Sequence, residues 1–158
     1  MLSNPLFHAF ILSLLPISEL RGGIPYAVAS DIPLWLAFTL CVFSNMLVIP
    51  ITYLFFDTLH KQFYKIGLYK KLFDKWVDRT RKKAERNVGK YGYWGVMLFV
   101  AIPLPITGAY TGTLASWILK LDRKKSFKYL AGGVVIAGII VSLATISGIK
   151  AFEIFMKR

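Results

Sequence analysis

Two ionisable side chains interrupt a long apolar stretch near the N-terminus. They are Glu19 and Arg21, set in S-E-L-R-G-G-I-P-Y at 18–26. An ionisable group at membrane depth is costly enough to mark a functional position by default. Arg21 could hold an anionic head group, and Glu19 could exchange a proton. The same two could instead form an ion pair that braces a hairpin, because removing either partner would strand a buried charge. Gly22 and Gly23 let backbone N–H groups approach an anion, and Pro25 follows. A second interruption, Pro103-Leu104-Pro105-Ile106-Thr107-Gly108, stands in the other half of the chain. There Thr107 and Thr111 offer hydroxyls and Tyr110 an aromatic wall, although the threonines could also repair a broken helix by bonding to backbone. Asn45 lies in mid-stretch, where an amide can bond across helices or line a path.

Other chemistries lack their residues. Cys41 is the single cysteine, and His8 and His60 stand far apart. No disulfide within the chain, no metal site and no cofactor is therefore expected. There is no nucleophile–base set, and an enzyme is not expected.

Composition places these residues in lipid. Of 158 residues 56% are hydrophobic, and the mean hydropathy is +0.55. A soluble domain of this size has too much surface for its volume to hide that share. The net charge of +12 is banded: residues 61–90 hold 11 basic and 3 acidic residues, and 120–128 hold 5 and 1. Residues 1–18 and 32–56 hold none. Charge confined to loops is a membrane pattern and argues against a nucleic-acid partner. The expected partners are the bilayer, anionic lipids, an amphipathic substrate and protons.

The elements that must position the candidate residues follow from run lengths. Leu6–Leu15 is too short to span, about 15 Å as helix. It runs into Pro16, the charged pair and the glycines, so two short arms with a broken polar tip are expected. Leu34–Phe56 is uncharged and about 34 Å long as helix, a full span with Pro50 inside it. Residues 57–93 carry Leu59, Phe63, Ile66, Tyr69, Phe73 and Trp76 at helical spacing between lysines. They form a basic amphipathic helix suited to the membrane surface, ended by Gly89 and Gly92. Trp94–Leu119 breaks at its prolines into two short arms. Tyr129–Ile149 is a second span, with Gly132, Gly133, Gly138 and Gly148 as places for close helix approach.

The order hairpin, span, basic linker, hairpin, span is an internal repeat, and aligning Ser30 with Ser116 matches Gly22 with Gly108. If the second hairpin crossed, its two flanking basic segments would lie on opposite faces, against the positive-inside rule. Re-entry keeps both on one face. The expectation is an all-α integral membrane domain of two inverted repeats, each a re-entrant hairpin and a transmembrane helix: repeat one 1–56, amphipathic linker 57–93, repeat two 94–158. Such repeats place substrate sites near the midplane. A homodimer and a multi-pass place in the plasma membrane are expected.

S-E-L-R-G-G-I-P-Y at 18–26 and P-L-P-I-T-G-A-Y-T-G at 103–112 resemble the two signature stretches of the small multi-drug export protein family. That family is more distantly similar to the DedA/VTT membrane proteins, which carry two re-entrant hairpins with acidic and arginine residues. Several of those move lipid carriers or phospholipids across bilayers. The resemblance implies that Glu19 and Arg21 match the acidic and basic tip positions. The expected activity is transport of an amphipathic substrate, with an anionic lipid phosphate favoured. The alternatives are export of cationic lipophilic drugs drawn by Glu19, and a scaffold that moves nothing.

Overall fold

A computed structural model describes residues 4–59, 63–103 and 107–156, without the side chains of 69, 83–90 and 150–156. His60, Leu104, Pro105, Ile106 and the Tyr69 side chain thus lie outside the described residues. The described residues form helices and no strand: α1 Pro5–Leu14, α2 Glu19–Ala29, α3 Leu34–Thr58, α4 Gly67–Tyr91, α5 Tyr93–Ala101, α6 Ala109–Ile118 and α7 Arg123–Met156. They divide into two compact units, residues 1–45 with 135–158 and residues 46–134. The helices α3 and α7 each give residues to both units.

In the first unit α1 starts at Asn4, whose side chain accepts from the Leu6 N–H at 3.0 Å, with Pro5 in the first turn. It stops at Leu15, which is extended because a residue before proline is pushed out of the helical region. The break is shorter than expected. It covers residues 15–18, and Glu19, Arg21, Gly22, Gly23 and Pro25 all lie inside α2. Two glycines cost a helix about 1 kcal/mol each, but here they serve packing. A Cβ on Gly23 would stand 3.0 Å from Cys41 Sγ and 3.1 Å from the Ala9 carbonyl, and would overlap Ser13 Oγ. Gly23 thus lets α2 touch both α1 and α3. Gly138 of α7 does the same for Phe38 and Val42 of α3, whereas Gly148 faces open space.

The end of α1 is satisfied by side chains. A helix leaves its last carbonyls without donors. Ser18 Oγ donates to the Leu12 carbonyl, Asn45 Nδ2 to the Ser13 carbonyl at 2.9 Å, and Ser44 Oγ to the Phe10 carbonyl at 3.0 Å.

In the second unit α5 and α6 pack together, and α4 packs on both. Phe73 of α4 is buried with Phe56 and Leu114, flanked by Trp76, Val77 and Trp117. Part of the aromatic stripe of α4 is therefore covered by protein, while Leu68 and Leu72 stay exposed. The helix continues through Gly89 and ends before Gly92, whose φ is +58°. Gly133 fits against the Met97 carbonyl and Val100, and Gly112 against Val100 and Leu130. Tyr129 stacks on Tyr93 at 5.5 Å and meets Trp94 edge-on. Arg123 makes two bonds to the Asp57 carboxylate, at 2.6 and 2.8 Å. Tyr53 neighbours Ser126, one turn back in α3 and about one turn on in α7, so the two helices run antiparallel here.

A set of backbone features recurs along the chain at one constant spacing. Asp31 and Lys120 both hold positive φ, +59° and +51°. Around them the same two bonds close the helix end: Asp31 N to Val28 O with Ile32 N to Ala27 O, and Lys120 N to Trp117 O with Leu121 N to Ser116 O. This is the Schellman arrangement, which satisfies terminal carbonyls through a left-handed residue. Gly23 and Gly112 keep the same spacing, as do their long-helix neighbours Cys41 and Leu130. So do Ser18 and Thr107, each bonding back to the end of the preceding helix. In this register the counterpart of Ser116 is Ala27, not Ser30, and that of Gly108 is Glu19, not Gly22.

Candidate substrate site

The candidate residues fall into two groups, one in each unit. Glu19 opens α2, is buried, and carries φ +45°. Arg21 is half-buried, with no ion pair or hydrogen-bond partner among the described residues. At 3.6 residues per turn, side chains two apart on a helix point about 200° from one another. Glu19 and Arg21 therefore occupy different faces of α2 and make no ion pair with each other. Gly22 N–H donates to the Ser18 carbonyl at 3.0 Å, so it is used within the chain. Pro25 has no N–H, which leaves the Arg21 carbonyl without its helical donor. Asn45 bonds to α1 and acts as a brace. His8 faces the Tyr26 hydroxyl at 3.3 Å.

In the second group Pro103 is half-buried just past α5, Pro105 lies outside the described residues, and Thr107, Gly108 and Thr111 are buried. Thr107 Oγ1 donates to the Ile102 carbonyl and Thr111 Oγ1 to the Gly108 carbonyl at 3.3 Å. Thr113 and Ser116 bond back into α6 at 2.7 and 3.0 Å. Thr107 and Thr111 thus bond to backbone beside the break, whereas Thr113 and Ser116 bond within α6. Tyr110 is half-buried at the start of α6.

Sequence reasoning missed three features. Ser13 and Ser18 carry the packing and capping of the first hairpin, and serines in an apolar run give no spacing signal. Asp57 and Arg123 stand just outside the two apolar runs, so opposite charges at run ends were the available clue. Tyr64 donates to Asp74 at 2.9 Å. That bond raises the phenol above its ordinary range, with burial and the carboxylate's charge adding to it.

The long helices define the class. Only 39% of the most apolar window of α3, and likewise of α7, is buried inside the protein. Phe43, Ile51 and Leu54 on α3 and Ile139, Ile140 and Leu143 on α7 are exposed. Apolar helices of this length with so much bare surface fit lipid as their solvent, and the described residues have the make-up of a helical membrane protein.

A family model described as Putative small multi-drug export protein matches residues 19–140, and the chain belongs to that family. The match opens on Glu19, takes in the rest of the first motif and all of the second, and leaves α1 and the break at 15–18 outside. No curated protein and no solved structure matches the chain.

Proposed function

We propose that the protein is a multi-pass transporter of the plasma membrane that exports an amphipathic substrate. In this reading two re-entrant hairpins, α1–α2 and α5–α6, alternate with the spans α3 and α7 as inverted repeats. Arg21 takes the anionic group of the substrate, a lipid phosphate by preference, and Glu19 exchanges the coupling proton.

The observation that carries the reading is the Asp57–Arg123 pair. It holds the end of α3 beside the start of α7, so the chain between them leaves and returns at one level. Helices of 9 and 10 residues, α5 and α6, span about 15 Å each and fit a dip better than a crossing. The antiparallel course of α3 and α7 supports inversion, because they follow equivalent hairpins in the recurring register. The side-chain bonds at the ends of α1 and α5 support burial of both breaks, since broken backbone at membrane depth needs such partners.

Two measurements test this. In a Cys41→Ala background, cysteines at Ile66 and Lys124 should label from the same membrane face, and labelling from opposite faces would overturn re-entry. In proteoliposomes, Arg21→Ala should abolish movement of a fluorescent lipid phosphate. A variant as active as wild type removes Arg21 from the site.

A further inference from the structure

The second unit contains a cleft of about 670 Å³ that the transport reading does not use. It opens where the end of α3, α4, the end of α6 and the start of α7 converge. Arg81, Lys120 and Arg123 line it, together with a single acid, Asp74. That acid already accepts the Tyr64 hydrogen bond. Arg123 is fixed before any ligand arrives, held by Asp57 and lying over the Tyr53 ring at 5.5 Å. The remaining wall is apolar and aromatic, from Phe73, Trp117 and Ile118. The buried Tyr53 hydroxyl lies beside Ser116 and Ser126 without a hydrogen-bond partner among the described residues.

We infer that this cleft binds the phosphate head of an anionic amphiphile, with Arg81, Lys120 and Arg123 around the phosphate and the tail along Phe73 and Trp117. Its charge favours an anion: Arg81, Lys120 and Arg123 are set against Asp74 and the Asp57 carboxylate that engages Arg123, a net excess of one positive charge. Its size suits a whole small ligand, since binding clefts run to about 300–1,000 Å³. Guanidinium groups are the side chains best matched to phosphate oxygens. The cleft belongs to the band of basic residues that flanks the apolar runs, the level at which lipid head groups sit. The inference uses neither Glu19 nor Arg21 and stands apart from the transport reading.

Binding of dioctanoyl phosphatidic acid to the full chain in neutral detergent tests it by calorimetry. Wild type should bind saturably, and more weakly as salt rises. The double variant Arg81→Gln/Lys120→Gly should bind at least about tenfold more weakly, from the loss of two charge-assisted contacts. Lys120 holds a left-handed backbone, which glycine adopts without strain, so this variant should not lose its fold. Arg79→Gln, basic but outside the lining, should match wild type. Displacement by inorganic phosphate would assign the site to the free anion, and resistance to it would assign the site to the lipid; both support phosphate recognition. Undiminished binding by the double variant, or equal binding of dioctanoylglycerol, overturns it.

Discussion

Replacing Gly23 by alanine tests the packing that sets the α2 residues in place. In an exposed helix the change would stabilise by about 1 kcal/mol, because glycine is the poorer helix former. At this site the new methyl meets three neighbours: it overlaps Ser13 Oγ, stands 3.0 Å from Cys41 Sγ and reaches 3.1 Å from the Ala9 carbonyl. The last is backbone and yields least. Overpacking in a tight interior costs about 1–3 kcal/mol. The net expectation is a loss of up to about 2 kcal/mol, or a midpoint lowered by up to about 8 °C for a chain of this size. Ser13→Ala should remove most of the clash, and its hydroxyl has no hydrogen-bond partner to lose. The double variant Ser13→Ala/Gly23→Ala should therefore melt close to wild type, with a favourable coupling of about 1 kcal/mol in a double-mutant cycle. Thermal melting in detergent, read by tryptophan fluorescence, supplies the four values. A Gly23→Ala protein that melts above wild type would mean that α1 and α2 are not in close contact here.

Asn45→Leu should lower stability by about 1–3 kcal/mol in the same assay, because the Ser13 carbonyl loses a buried donor. Asp31→Gly should raise the midpoint slightly, since the left-handed residue of the cap then carries no side chain; a lowered midpoint would argue against the cap. Charge exchange between Asp57 and Arg123 should keep Ile66 and Lys124 labelling on one face, while Asp57→Arg alone weakens that preference. The stability cost of Asp57→Arg should stay within about 1 kcal/mol, because both side chains are partly exposed. Glu19→Gln should abolish the pH dependence of transport in proteoliposomes, and a variant whose flux still follows pH would end the proton role.

Much of the architecture was legible because hydropathy and charge act over long runs. The long apolar helices α3 and α7, the basic helix between them and the break after Ala101 all follow from uncharged lengths, prolines and lysine bands. The first break was not placed correctly, for a local reason. Proline and two glycines read as helix breakers when each is costed by propensity alone. In the fold Gly23 is where α2 presses against α1 and Cys41, so the helix is kept and the break falls back on Leu15 and Pro16. Propensity is a weak prior, and packing overrides it.

The candidate residues were legible as types and their geometry was not. In a loop, Glu19 and Arg21 could face each other; on a helix a spacing of two turns them apart. In the proposed mechanism that difference divides their work. A paired carboxylate would neutralise Arg21 and leave no net charge to attract a ligand, whereas separate faces would let the cation meet an anion while the acid meets a proton. Stripping Glu19 of its charge should then leave equilibrium binding of a lipid phosphate at Arg21 nearly unchanged while slowing transport. Binding that strengthens severalfold in Glu19→Gln would show that the two side chains compete for one another after all.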